Sequence, residues 1–174
     1  MELEAVVEEI LRGLERERGF KILSQPSLEG ASGMIRRVDF VIKYFNNVKY
    51  LVECKDVRSR NPSTFHTQMC RAYTELCDLL LKLNRGRLDI PRVRGIVVVR
   101  DFPYIVLDFP YIGRYLDRWG IEFEKWKNLF RPISTQFYTL DMFRDLGLDD
   151  IKEEIREECE RRFFNREEDE VGGE

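Results

Sequence analysis

The chain has 174 residues, of which 43% are hydrophobic and 35% charged, with a formal net charge of −3. One domain over residues 1–174 is expected, with apolar residues enough for a real core and a charged fraction above the ~25% of an average soluble domain. This composition excludes a collagen-like or disordered chain, and no apolar run approaches the ~18–20 residues of a membrane span.

Met1-Glu2-Leu3-Glu4 is acidic and lacks the basic-then-apolar order of a signal peptide, so a cytoplasmic protein without membrane contact is expected. Cys54, Cys70, Cys77 and Cys159 form no Cys-x-x-Cys pair, and His66 is the single histidine. That scatter predicts four reduced, mostly buried thiols rather than a zinc cluster. Charge is unevenly spread. Residues 36–100 hold 14 basic and 6 acidic residues, whereas residues 101–174 hold 11 basic and 19 acidic. A basic middle between acidic ends suggests one positive face able to track a phosphate backbone. The same density, with glutamine only at Gln25, Gln68 and Gln136, also fits a thermophile-like surface of ion pairs.

Residues 2–18 read as an amphipathic helix, with Leu3, Val6, Val7, Ile10, Leu11 and Leu14 on one stripe and Gly19 as its C-cap. Phe20–Leu23 reads as a strand and residues 24–33 as a loop. Val38–Phe45 and Val48–Lys55 read as two strands joined by an Asn46-Asn47 turn. In the second strand Tyr50, Val52 and Cys54 share one face, and Leu51, Glu53 and Lys55 the other. Asn61-Pro62-Ser63 starts a helix over 64–83 that Asn84-Arg85-Gly86 ends, and Gly95–Arg100 is a buried central strand. The remainder is a variable part, 101–148. Strands are expected at Tyr104–Asp108 and Ile121–Trp126, and helices at Ile112–Trp119 and from an Asp141 N-cap to Leu146. A charged helix over 149–170 should dock Ile151, Ile155, Cys159 and Phe163 inward. The order of elements predicts an α/β fold, a mixed β-sheet with helices on both faces.

Glu53-Cys54-Lys55 puts a carboxylate and an ammonium on one face of an apolar strand, where charges are rare unless paired or functional. Asp39 lies at the start of the partner strand. Two converging carboxylates can hold a hard divalent cation, and a neighbouring lysine can position or deprotonate a water. An exposed Glu–Lys ion pair of small consequence is the plain alternative. Parity adds a condition. A two-residue turn at Asn46-Asn47 pairs residues whose numbers sum to 93, which sets Asp39 opposite Cys54. Convergence with Glu53 therefore requires an odd-length loop or a bulge in this hairpin.

Asp39 followed by Glu53-Cys54-Lys55 at the end of an apolar strand resembles the PD-(D/E)XK nuclease superfamily. The context Arg18-Gly19-Phe20, a Gly/Ser loop, Val38-Asp39-Phe40 and Val52-Glu53-Cys54-Lys55 is similar to archaeal Holliday junction resolvases over residues 1 to about 100. Val38 stands where that family often has proline. The resemblance implies a restriction-endonuclease-like core and a DNA endonuclease that leaves a 5′-phosphate, acting on branched or damaged DNA in repair or recombination. Asp39, Glu53 and the Cys54 carbonyl would hold Mg2+ or Mn2+, and Lys55 would be the catalytic lysine. Glu8 would be the first-helix glutamate, although Glu4 lies nearer the apolar stripe. Gln68 would be the glutamine of the following helix, where a solvated residue is the plain alternative. A homodimer is implied as well.

Arg36, Arg37, Arg58, Arg60, Arg85, Arg87, Arg92 and Arg94 are expected backbone-phosphate contacts. His66 is read as a structural residue or phosphate contact rather than a general base. The aromatics Phe102, Tyr104, Phe109, Tyr111, Tyr115 and Trp119 suit a core or dimer surface, or stacking on unpaired bases. The contrasting reading is a catalytically inactive nuclease-fold module for nucleic-acid binding or assembly, with the acidic C-terminal segment contacting a protein partner.

Overall fold

A computed structural model describes residues 2–57, 62–100 and 123–171. Helix α1 covers Leu3–Arg12 and buries Leu3, Val7 and Leu11 on one stripe. A 3₁₀ turn over Gly13–Arg16 then carries Leu14 into the core. Strand β1 is Phe20–Ser24. Gly19 precedes it at φ +98°, with the Phe45 ring 2.6 Å from where a Cβ would stand, so only glycine fits there.

The segment read as a loop contains a small hairpin. Strand β2, Ser27–Glu29, pairs with β3, Ile35–Arg37, as a separate two-stranded sheet. Strand β4 is Phe40–Tyr44 and β5 is Asn47–Lys55. The turn between them is Phe45-Asn46, not Asn46-Asn47, and both of its residues have positive φ (46° and 65°). Left-handed geometry at both central positions matches the twist of a tight hairpin.

Helix α2 spans Pro62–Leu83 and β6 spans Arg94–Val99. Residues 123–130 form helix α3, where Ile121–Trp126 reads as a strand from sequence. Strand β7 is Thr135–Thr139. Helix α4, Leu140–Met142, is capped by Thr139, whose hydroxyl accepts from the Met142 amide at 3.3 Å; Asp141 is not the cap. A π-helical turn, Phe143–Gly147, leads into α5, Leu148–Val171. The expected elements at Tyr104–Asp108 and Ile112–Trp119 lie outside the described residues.

The main sheet has the order β1-β4-β5-β6-β7, with β1, β4 and β5 antiparallel and β5, β6 and β7 parallel. It is a mixed sheet with helices on both faces, as expected. One core joins Leu51, Val97, Val99 and Phe137 to Phe65, Met69, Leu76 and Leu80 of α2 and to Trp126 and Phe130 of α3. The other joins Ile42, Tyr50, Val52, Ile96 and Val98 to Leu3, Val7 and Leu11 of α1 and to Ile151 and Ile155 of α5.

Two expectations about docking fail. Phe163 is 62% exposed and Cys159 is exposed, so the apolar docking of α5 ends at Ile155, and beyond it Glu158 reaches the sheet through Lys49. Cys70 is exposed and Cys77 half-buried, which leaves Cys54 as the one fully buried free thiol. Among the described residues no helix is long and apolar enough to cross a membrane.

Candidate active site

The hairpin meets the parity condition through a bulge. Near the turn Tyr44 faces Asn47 and Lys43 faces Val48, but beyond a shift at Ile42/Lys43 the pairs are Ile42–Tyr50, Val41–Leu51 and Phe40–Val52. Lys49 is the extra residue. The next step of that register sets Asp39 beside Glu53. Strand β4 begins at Phe40, so Glu53, Cys54 and Lys55 have no antiparallel neighbour in the ladder, while β6 continues along their other edge as Val97, Val98 and Val99.

Asp39 fills the gap. Its Oδ2 accepts from the Cys54 amide at 2.7 Å. A strand residue turns its N–H and its C=O toward the same neighbour, so the Cys54 carbonyl faces this side as well. Cys54 directs its side chain into the α1 core, and Leu51 and Glu53 face α2. The alternation read from the sequence holds.

Glu53 is 4% exposed. Burial, and next the nearby Asp39 charge, push its carboxyl up to about 8. Burial raises Asp39 too, against the lowering effect of the Cys54 amide bond and the Lys55 charge. Two buried acids this close resist ionising together. Lys55 is the local counter-charge, with Nζ 3.6 Å from Glu53 Oε2 and 4.0 Å from Glu75 Oε2. Burial also raises the Cys54 thiol, which acts as an apolar filler.

At the open end of β5 lies a cavity of about 330 Å³ lined by Glu4, Cys54, Lys55, Asp56, Val57, Thr64 and Gln68. Gln68 is thus on the wall of this cavity. Glu4, and not Glu8, is the first-helix glutamate at the cavity. Glu8 is tied to Arg12 at 3.0 Å, one turn further along α1.

Most of the described arginines point elsewhere. Arg36 is held by Asp78 at 2.8 Å, and Arg94 is paired with Glu154. Arg85 and Arg87 follow the far end of α2, and roughly 22 Å of helix separates Gln68 from Leu83. Arg87 is moreover 3.6 Å from Asp89. Arg37 and Arg92 are exposed and remain open to solvent. Arg58 and Arg60 lie outside the described residues, as do Phe102, Tyr104, Phe109, Tyr111, Tyr115 and Trp119. His66 lies on the outer flank of α2 and does not line the cavity.

Glu75 escaped the sequence reading. It lies two helical turns after Gln68 on the same flank of α2, a spacing that could have singled it out. The Asp56–Arg100 pair, at 3.3 Å, closes the same end of the sheet and joins two strands distant in sequence.

Among the described residues no group of three or more His, Cys, Asp or Glu side chains is placed to share a metal ion. The donor set at the strand end is smaller, two carboxylates and one main-chain carbonyl. Mg2+ suits such a set, because it keeps several waters and commonly takes only one or two protein carboxylates. Burial makes the Asp39 and Glu53 carboxyls hold their protons more tightly than free acids do, and a divalent cation bound there would displace those protons and offset the buried charge. The sequence matches no protein-family model, and no curated protein matches it.

Proposed function

We propose that the chain is a divalent-metal-dependent DNA endonuclease built on a restriction-endonuclease-like core of the PD-(D/E)XK kind. The observation that carries this reading is the Asp39 bond to the Cys54 amide, which brings one carboxylate to the strand end that bears Glu53 and Lys55. Asp39, Glu53 and the Cys54 carbonyl would hold Mg2+ or Mn2+, which when bound would offset negative charge on the phosphoryl oxygens.

The chain's own groups do the positioning. Lys55, set between Glu53 and Glu75, donates to a water and orients its oxygen toward phosphorus. Gln68 and Thr64 offer further hydrogen bonds in the cavity, and Glu4 supplies a carboxylate opposite them. Attack forms a bond from the water oxygen to phosphorus and breaks the bond to the 3′ oxygen. The water proton passes to solvent, and the leaving oxygen takes one up to become a 3′-hydroxyl, leaving a 5′-phosphate. Branched or damaged duplex is the proposed substrate, and a homodimer the proposed form.

A second reading, a non-catalytic nucleic-acid-binding or assembly module, is favoured by the internal pairing of Arg36, Arg87 and Arg94, three of the arginines expected to contact phosphate. Incubation with supercoiled, single-stranded and four-way-junction DNA, in Mg2+ or EDTA, separates the two. Cleavage that needs the metal and is lost in Glu53→Ala supports the endonuclease. DNA bound equally by both proteins and left uncut supports the module.

A further inference from the structure

On the outer flank of α2 the chain's only histidine meets an exposed thiol. His66 Nε2 and Cys70 Sγ are 3.5 Å apart, one helical turn from each other. Neither takes part in the cavity at the end of β5. The Trp126 indole backs the imidazole, with ring centroids 5.3 Å apart, and it is itself 3% exposed. A histidine walled in this way is restrained in orientation before any ligand arrives.

The separation is that of a chelate. A tetrahedral zinc with bonds of ~2.3 Å to sulfur and ~2.0–2.1 Å to nitrogen spans ~3.5–3.6 Å between the two donors. Thiolate and imidazole are also the donors that select Zn2+ over Mg2+. Two ligands are half of a closed tetrahedral site. The same flank of α2 is exposed at Ser63, Thr67, Cys70, Arg71 and Thr74. Its small polar side chains at 63, 67 and 74 allow a second helix to approach closely.

We propose that His66 and Cys70 form a half-site for a thiophilic d10 cation, zinc in the first instance, completed by the same pair from a second copy of the chain. Each thiol releases its proton to solvent as its sulfur–metal bond forms, and each neutral imidazole donates the Nε2 lone pair while its proton stays on Nδ1. The proposal is independent of the chemistry at Asp39 and Glu53, which offer oxygen donors only.

The test titrates metal-free, full-length protein with Co2+ and then Zn2+. Thiolate-to-cobalt charge-transfer absorption and mass by light scattering are read together. The expected result is a charge-transfer band that saturates at half an equivalent per chain, a doubled mass, and displacement of the band by Zn2+. Cys70→Ser and His66→Ala should each abolish band and mass change, whereas Cys159→Ser and Glu53→Gln should leave both intact. No band, a band that survives Cys70→Ser, or one cobalt per monomeric chain would overturn the proposal. Circular dichroism of the two variants, both at exposed positions, keeps loss of fold from being mistaken for loss of metal.

Discussion

The Asp39 carboxylate and the Cys54 amide are 15 residues apart in the chain and 2.7 Å apart in space. The bond stands where a ladder bond would lie if β4 extended further. It satisfies a donor that the short strand leaves open and delivers an anion to the edge of an apolar sheet. Lys49 makes this possible. As the bulged residue it absorbs one position of β5, and its ammonium is held by Glu158 at 3.1 Å.

Asp39→Asn and Asp39→Ala separate these two roles. Asparagine retains an oxygen for the Cys54 amide, whereas alanine leaves that N–H unmatched at a cost of ~1–3 kcal/mol. Chemical denaturation should rank the asparagine variant above the alanine variant by that amount. Metal-dependent cleavage should be lost in both, and equal stabilities would remove the structural role given to this bond.

Glu53 carries a pH dependence of definite sign. Its carboxyl is raised in the folded protein from 4.5 to about 8, so across that interval the native state holds a proton that the unfolded chain has released. Metal-free protein should therefore lose stability as the pH rises from about 4.5 toward about 8. Glu53→Gln removes the penalty and should raise Tm by a few degrees at pH 8 in EDTA, on the order of 1–2 kcal/mol, while cutting cleavage ~10²-fold or more. A lower Tm for the variant at pH 8 would contradict the assignment.

Glu75 on α2 places its Oε2 4.0 Å from Lys55 Nζ. Glu75→Gln should lower kcat by ~10-fold with little change in the metal concentration that gives half-maximal rate. Lys55→Arg, which keeps the charge and alters its shape, should not restore the rate. A large shift in metal dependence for Glu75→Gln would make Glu75 a ligand instead of a positioning residue.

Asp78 fastens the β2–β3 hairpin to α2. It accepts from the Ser32 amide, the Ser32 hydroxyl and Arg36 Nε, each at 2.8 Å. The Arg36 hydrogen bond leads the effects that hold its carboxyl down at about 2, from an ordinary 3.8. The contribution is complete above pH 3.8 and is lost as the pH falls through about 2. Asp78→Ala should speed hydrogen exchange at the Ser32 amide at neutral pH and leave the amides of β5 and β6 unchanged. Gly30→Ala should do likewise, because a Cβ there would stand 2.0 Å from Asp78 Oδ2.

The elements missed in the sequence share a cause. β2 and β3 are three residues each and largely exposed, so they carry no apolar alternation; Asp78, more than 40 residues later, secures them. β7 reads Thr-Gln-Phe-Tyr-Thr and becomes a strand because β6 offers it a parallel edge. The turn falls one residue before Asn46-Asn47 because Phe45 adopts a left-handed conformation that aromatic side chains seldom take. In α5 the apolar positions Ile155, Cys159 and Phe163 keep helical spacing past the point where the sheet ends, so periodicity alone could not show where docking stops.

The sequence by itself determined the local content: which segments are apolar with period 2 or 3.6, where β5 changes from apolar to charged, and that Asp39, Glu53 and Lys55 can meet only if the hairpin takes an odd step. Those features depend on side-chain spacing along one strand or helix. Tertiary structure alone decided that a bulge at Lys49 supplies that step, that Glu4 and not Glu8 reaches the cavity, that Glu75 completes the setting of Lys55, and that Arg36 and Arg94 are neutralised within the fold. All but the bulge are contacts between distant segments, set by how the helices pack on the sheet, and residue order carries no direct record of that packing.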